Sequence, residues 1–240
     1  MIEDSKKLTI IIPVYNEAEN LPRVGKTMTD YLLRSNTKAK VLFVNDGSTD
    51  KSASLIEEIC SNNAHFGFVH FSKNCGLSAA IKAGFDLSDT EFTGYIDADL
   101  QTSPDDFDLL MQYTSDYELV TGIRAKRKDS IVKKLSSKIA NSIRRSITHD
   151  GVSDTGCPLK IIRTSVARKI PFFKGMHRFI AALVQLEGGK VKEVPVSHFP
   201  RIAGQSKYHL WNRLVGPTVD LMAYRWIRNR YIRYEISKRG

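Results

Sequence analysis

Residues 8–17 read LTIIIPVYNE. Leu8–Val14 is an unbroken apolar, largely β-branched run, the mark of a strand buried on both faces. Tyr15-Asn16-Glu17 ends it, and Asn16–Arg34 has the pattern of a helix with Glu17 and Glu19 near its start. The same unit recurs downstream. Val41–Val44 is a strand that turns out through Asn45-Asp46-Gly47-Ser48, and Ser52–Cys60 is a helix. Phe66–Phe71 is a strand and Ser78–Leu87 a helix. Phe92–Ile96 is a strand that runs into Asp97-Ala98-Asp99. Pro104–Tyr113 is a helix with Ser103 as its cap and Pro104 at its first position, and Leu119–Thr121 is a further strand. This alternation predicts an α/β fold with a mostly parallel central sheet and helices on both faces.

The second half has a different texture. Ile131, Leu135, Ile139, Ile143 and Ile147 recur every fourth residue, with lysines and arginines on the other faces. Leu159–Ile162 and Val191–Val196 read as strands and Arg178–Glu187 as a helix. Trp211 to Ile236 is a long amphipathic basic segment, expected to break at Gly216-Pro217. No repeat or low-complexity linker divides the chain. Residues 1–210 are therefore expected to form one domain, with 211–240 as a helical appendage.

Composition excludes several classes. The chain has 240 residues, 42% hydrophobic and 26% charged, which is ordinary globular material. Its three cysteines (Cys60, Cys75, Cys157) are widely spaced, so neither a disulfide framework nor a zinc site is expected. No apolar run reaches the roughly 18 residues that would span a membrane. The first residues, MIEDSKKLTIII, lack a cleavable signal pattern. The net charge of +10 is unevenly distributed. Residues 1–122 carry 10 Lys/Arg and 19 Asp/Glu; residues 123–240 carry 26 and 7. An acidic half joined to a strongly basic one predicts a polyanionic partner for the basic half only.

In an open parallel sheet, ligands bind outside the carboxyl ends of the strands. Three polar segments fall there: Pro13–Glu17, Asn45-Asp46 and Asp97–Gln101. Carboxylates gathered on one rim repel one another unless a cation joins them. Asp97 and Asp99 can hold a hard divalent ion that completes its shell with phosphate and water oxygens. Taken alone, Asp-x-Asp also describes a solvated turn; the preceding apolar strand and nearby Asp46 favour the metal–phosphate reading. No glycine-rich phosphate cradle is present, so phosphates would meet metal and Arg/Lys side chains.

Seven motifs stand in order: IIPVYNE (11–17), VNDGSTD (44–50), NCGLSAAIKAG (74–84), DADLQ (97–101), TGIR (121–124), SDTGCPLK (153–160) and RIAGQSKY (201–208). Over about residues 8–210 the chain resembles the GT-A fold, family 2 glycosyltransferases. Within them it is most similar to the polyprenyl-phosphate group typified by dolichyl-phosphate mannose synthase. The resemblance implies a Rossmann-like GT-A sheet, with 1–122 as the nucleotide-sugar half and 123–210 as the acceptor half. It implies that Pro13, Tyr15, Glu17, Val44, Asp46, Asp97 and Ala98 contact the nucleotide. Asp97, Asp99 and Gln101 would hold Mg²⁺ or Mn²⁺ on the diphosphate of a UDP- or GDP-linked sugar. Arg124, Arg201 and Lys207 would meet phosphate, the last two from a loop around Gly204 that closes on the leaving group. Without the resemblance, Arg201 and Lys207 read rather as a solvated surface loop. One position departs from the pattern: the second motif usually begins Asp-Asp, and here it is Asn45-Asp46.

A lipid-linked phosphate acceptor accounts for the basic half. Residues 123–147 hold nine Lys/Arg against Asp129 alone. With its isoleucine stripe, 130–147 either lies in an anionic membrane interface or packs on the core. Residues 211–240 mix Trp, Tyr and Arg as interface anchors do. Relatives often continue into membrane-spanning helices, so this chain is expected at the cytoplasmic membrane face as a peripheral protein, docked on a membrane subunit or self-associated. An acceptor phosphate is already a nucleophile and needs no general base; Arg127, Lys133 and Ser137 are candidates to hold it. Transfer to a saccharide or glycolipid hydroxyl would need a base, for which Asp154 is the best carboxylate, although it also suits a cap on the turn into Gly156. His177 would sit near the acceptor mouth, or cap or pack. Inverting, metal-dependent sugar transfer is the leading expectation. Against it stand a non-catalytic nucleotide-sugar binder and a nucleic-acid binder; the absence of nucleic-acid motifs leaves the second weak, and no nucleic acid is expected as a partner.

Overall fold

The computed structural model describes residues 7–124, 144–200, 210–234 and 237–238. Seven strands form one sheet: β1 (Leu8–Val14), β2 (Ala39–Asn45), β3 (Phe66–His70), β4 (Phe92–Tyr95), β5 (Leu119–Arg124), β6 (Lys160–Arg163) and β7 (Val191–Val196), in the order β3-β2-β1-β4-β6-β5-β7. All pairings are parallel except those of β6, which runs antiparallel to both β4 and β5. The expected mostly parallel sheet is thus present.

Alternation along the strands builds two cores. Leu8, Ile10, Ile12 and Val14 face α1 (Leu21–Arg34), α2 (Ser52–Ser61) and α4 (Asp106–Met111), whose Val24, Met28, Ile56 and Phe107 are fully buried. On the other face, Ile11 and Tyr95 pack with α3 (Leu77–Leu87) and α5 (Ile180–Leu186). Burial of apolar surface at about 25 cal/mol per Å² makes these two layers the main favourable contribution to the fold.

Three helical expectations change; the helix expected from Pro104 with Ser103 as its cap begins at Asp106, with Asp105 in the capping position. The helix predicted from Asn16 begins at Leu21. Asn16 has a left-handed φ of 51°, and the N–H groups of Asn16, Glu17 and Ala18 donate to Ser48 Oγ, Ser52 Oγ and Asp50 Oδ2. Those donors stitch the end of β1 to the VNDGSTD loop instead of opening a helix. The C-terminal helix α6 (Leu210–Arg230) runs through Gly216-Pro217 without the expected break. An interior proline removes its own ladder bond and crowds the carbonyl four residues before it, but α6 is held to the body further along. Tyr224 is buried and stacks on Phe179 at 5.4 Å, and Asp220 pairs with Arg178 at 2.9 Å. Gly175, with φ of 90°, leaves no room for a Cβ against Asp220. The opposite side of α6 exposes Val219, Met222 and Trp226. Among the described residues, no helix is long and apolar enough to cross a membrane.

Of the basic stretch 123–147, only its two ends are described. Arg144 is buried, paired with Asp150, and donates to the Val152 carbonyl at 2.6 Å. Ile147 packs on the second core. At this end the stripe serves the domain interior.

Candidate active site

Parallel neighbours β2, β1 and β4 end on one rim, as the sequence requires. Val14 and Asn45 are register partners, and β4 stops two residues before Asp97. The antiparallel β6 begins at this rim with Lys160, which pairs with Tyr95 on one side and Thr121 on the other. β5 delivers Arg124 to the same edge, beside Val196 of β7. The acidic and basic halves of the chain therefore meet along one sheet edge.

Asp46 sits at the centre of the first half of the site. It is buried, and its carboxylate accepts from the Asn74 amide at 2.9 Å, the Cys75 N–H at 2.6 Å and the Gly76 N–H at 2.9 Å. It pins the turn that opens α3. Gly47 follows with φ of 64°. Asn45, the departure from the family pattern, is also buried, holding His70 Nδ1 at 2.9 Å and the Ser48 N–H at 3.2 Å. A neutral amide suits it: it donates to the ring and accepts from the backbone at once, which a carboxylate cannot do.

The Asp97–Gln101 turn lies opposite. Leu100 takes a left-handed φ of 49°. Asp99 Oδ1 accepts the Gln101 N–H at 3.1 Å, and the Asp99 carbonyl accepts from Arg23 of α1 at 2.7 Å. The Gln101 carbonyl accepts from the Phe199 N–H at 2.8 Å and pairs with His198 Nδ1 at 3.1 Å. Arg23 of α1 and the segment after β7 thus hold the turn from both sides. Burial pushes the Asp97 carboxyl up to about 6; the Tyr95 hydroxyl bonded to it, Lys160 and Arg124 pull the other way, and Asp99 adds to the rise.

Two cations approach from β5 and β6. Nε and Nη2 of the Arg124 guanidinium donate side-on to the two oxygens of Asp154, each at 2.7 Å. Burial opposes the Arg124 charge, but the Asp154 bonds outweigh it and raise its pKa. The Asp154 and Ser153 N–H groups donate to Glu193 Oε1. Lys160 is buried, donates to the Cys157 carbonyl, and has its pKa lowered by that burial against the pull of Asp154 and Asp97.

Among the described residues, no group of three or more His, Cys, Asp or Glu could hold a metal. Among the described residues, the Asp97–Gln101 turn offers the Asp97–Asp99 pair. That donor set fits a hard divalent ion that takes its other oxygens from a substrate diphosphate and water. Because Asp97 binds a proton below about pH 6, a metal must displace that proton there. Mn²⁺ affinity is expected to fall about tenfold per pH unit below 6 and to level off above it; calorimetry from pH 5 to 7.5 checks this, and a flat profile contradicts it.

The expected contacts distribute unevenly. Pro13, Tyr15, Glu17, Asp46, Asp97, Ala98, Asp99, Gln101 and Arg124 all lie at the rim. Val44 does too, but its side chain is buried in the second core, leaving only its backbone for a ligand. Gln101 is engaged through its backbone. Asp154 is the partner of Arg124. Arg127, Lys133, Ser137, Arg201 and Lys207 lie outside the described residues. The sequence reading assigned no role to Lys160, Arg23 or Ser78. Lys160 closes the SDTGCPLK motif, and a lysine within an apolar strand is the signal that marks it.

Comparison with known proteins shows the family and the fold. The family model described as glycosyl transferase family 2 matches residues 9–171. Undecaprenyl-phosphate 4-deoxy-4-formamido-L-arabinose transferase of Pectobacterium carotovorum is 33% identical over 224 residues, covering 92% of this chain and 68% of that protein. The enzyme of the same name from Pectobacterium atrosepticum is 34% identical over the same length and coverage. In structure, a mannosyltransferase from Pyrobaculum calidifontis in complex with GDP-Man and Mn²⁺ superposes with a TM-score of 0.67 at 16% identity, over 95% of this chain and 65% of that one. Glucosyl-3-phosphoglycerate synthase from Mycobacterium tuberculosis in complex with UDP gives 0.67 at 13% identity, over 95% and 82%.

Proposed function

The chain belongs to glycosyl transferase family 2, and on that premise we propose that it moves a sugar, with inversion, from a UDP- or GDP-linked donor to a polyprenyl phosphate at the cytoplasmic membrane face. An acceptor phosphate oxygen attacks the anomeric carbon as its bond to the nucleoside diphosphate breaks. The diphosphate leaves with the bonding electron pair, and the acceptor oxygen keeps the sugar.

In this reading, residues 1–122 hold the donor and 123–210 the acceptor. Pro13, Tyr15, Glu17, the Val44 backbone, Ala98 and the turn pinned by Asp46 shape the nucleotide site. Asp97 and Asp99, with Gln101, hold Mg²⁺ or Mn²⁺, which supplies Lewis-acid stabilisation of the departing diphosphate. Arg124, Arg201 and Lys207 add fixed positive charge, and Arg127, Lys133 and Ser137 hold the acceptor phosphate. The exposed Val219–Met222–Trp226 face of α6, beside Arg225, Arg228 and Arg230, suits an anionic membrane, a membrane subunit or a second copy.

The observation that carries the phosphate-acceptor reading is the Arg124–Asp154 pair. Transfer to a hydroxyl needs a general base, and the carboxylate best placed for that has both oxygens accepting from Arg124. A phosphate acceptor needs no base. The test supplies UDP- and GDP-sugars with Mn²⁺ or Mg²⁺ and offers undecaprenyl phosphate beside saccharide acceptors. Labelled sugar on the extracted lipid is expected; turnover on a saccharide hydroxyl alone overturns the acceptor.

A further inference from the structure

Asp154 grips Arg124 at both its backbone and its side chain. Oδ2 accepts from the Arg124 backbone N–H at 3.3 Å and from Nε at 2.7 Å, while Oδ1 accepts from Nη2 at 2.7 Å. One carboxylate thus closes a ring with the main chain and the guanidinium of the same residue, which fixes the torsions between them. The two side chains are 15% and 11% exposed, so little water competes for these bonds.

The clamp is itself anchored. Glu193 of β7, the register partner of Thr121 on β5, accepts from the Ser153 and Asp154 N–H groups at 2.8 and 3.0 Å. The Asp154 carbonyl accepts from the Cys157 N–H at 3.3 Å, closing the turn. Two glycines let that turn lie against β5. A Cβ on Gly122 would stand 2.8 Å from Cys157 Sγ, and one on Gly156 would stand 3.1 Å from Arg124 Nη2. The turn is therefore shaped around the guanidinium, tied to β7 on one side of β5 and continuing into β6 on the other.

The side-on grip decides which donors remain. A guanidinium has five N–H donors in one plane. Asp154 takes the Nε hydrogen and one hydrogen of Nη2. Nη1 and the second hydrogen of Nη2 remain, on the edge turned away from Asp154, and that edge matches two oxygens of a phosphate. Among the described residues, no acceptor engages it. β5 carries this edge to the rim. Thr121 and Tyr95 both pair with Lys160, so the ends of β5 and β4 are two strand spacings, about 10 Å, apart. Arg124 follows Thr121, and Asp97 follows Tyr95, toward the same side.

We propose that Asp154 is the positioning residue that aims the outer edge of Arg124 at the departing diphosphate, and that Glu193 holds Asp154 in place through the 153–154 backbone. This rests on the donor reading under Proposed function. It gives Asp154 a part in transfer without proton abstraction. Negative charge on the terminal phosphate grows as the sugar leaves, so a fixed fork stabilises the departing group more than the intact donor.

The test is a double-mutant cycle of Asp154→Asn and Arg124→Ala, read by calorimetry with Mn²⁺ on UDP against UDP-glucose and on GDP against GDP-mannose. The asparagine replaces one acceptor oxygen by an N–H donor, so the guanidinium loses one bond and its aim. Asp154→Asn is expected to weaken the diphosphate that the wild type binds about tenfold, and its nucleotide sugar no more than about twofold. Arg124→Ala should weaken the diphosphate about thirtyfold, and adding Asp154→Asn should change that by less than about twofold, because Asp154 acts only through Arg124. Glu193→Ala should cost about threefold for the diphosphate, again with nothing further once Arg124 is gone. Asp154→Glu, which keeps the charge and moves it by one methylene, should give the same pattern and serves if the asparagine variant does not fold. Equal losses for diphosphate and nucleotide sugar would reveal a merely structural role and overturn the inference. Unchanged affinity in the Asp154 variants, or a further tenfold loss on adding them to Arg124→Ala, would overturn it too. Wild-type protein that binds none of the four compounds overturns the donor reading, and the inference with it.

Discussion

Asp97→Asn is expected to lower sugar transfer by about a thousandfold while leaving the fold intact. The asparagine keeps the shape of the side chain and an oxygen for the Tyr95 hydroxyl, so the β4 end and the Asp97–Gln101 turn persist. It removes one of only two carboxylates that the described rim offers to a divalent ion. Lewis-acid stabilisation of a leaving diphosphate contributes several kcal/mol, and about 4 kcal/mol corresponds to three decades in rate. Losing the negative charge also leaves Lys160 and Arg124 facing a neutral group. Steady-state transfer kinetics and Mn²⁺ calorimetry check this together: both should collapse while the melting temperature stays within a few degrees. Full activity would remove Asp97 from the mechanism.

The second large effect is expected from Gly47→Ala, where the loss comes from backbone geometry. Gly47 has φ of 64°, and a Cβ there would lie 2.5 Å from the Asn74 nitrogen and 2.7 Å from Lys73 Cα. Both are backbone atoms with little freedom to move. The turn they belong to is the one that Asp46 pins through Asn74, Cys75 and Gly76. An alanine must therefore push the 73–76 turn away from β2, breaking those bonds. We expect a loss of about 3 kcal/mol in stability, combining backbone strain and broken buried hydrogen bonds, and at least about tenfold weaker binding of nucleoside diphosphate. Chemical denaturation and calorimetry measure the two. Unchanged nucleotide affinity would show that the Asp46 turn does not shape the nucleotide site.

Much of the rim was legible in the sequence because its determinants are local. Short apolar runs such as the β-branched Leu8–Val14 and Phe92–Ile96, each ended by polar residues, favour buried strands, and in a parallel sheet their carboxyl ends fall on one rim. That placed Asp46 and Asp97 together before any coordinate. The start of α1 was not legible. Asn16–Ala18 has helix-compatible residues, but its N–H groups bond to a loop more than 30 positions away, and local propensity carries no information about such a partner. Likewise Pro217 reads as a break, whereas packing of Tyr224 and Asp220 on the Gly175–Phe179 turn holds α6 in line with the turns before it.

By itself, the sequence determined the α/β class, the parallel frame and the carboxylates of the rim, since burial periodicity and strand-end chemistry are written in consecutive residues. Tertiary structure alone decided which charges answer one another. The reversed direction of β6 brings Lys160 from the basic half beside Asp97 of the acidic half, and the bidentate Arg124–Asp154 pair joins positions 30 residues apart. Ser78 and His177, 99 positions apart, meet only because α3 and the Gly175 turn pack on the same face of the sheet. Pairing across such distances depends on strand order and direction, which no stretch of adjacent residues encodes.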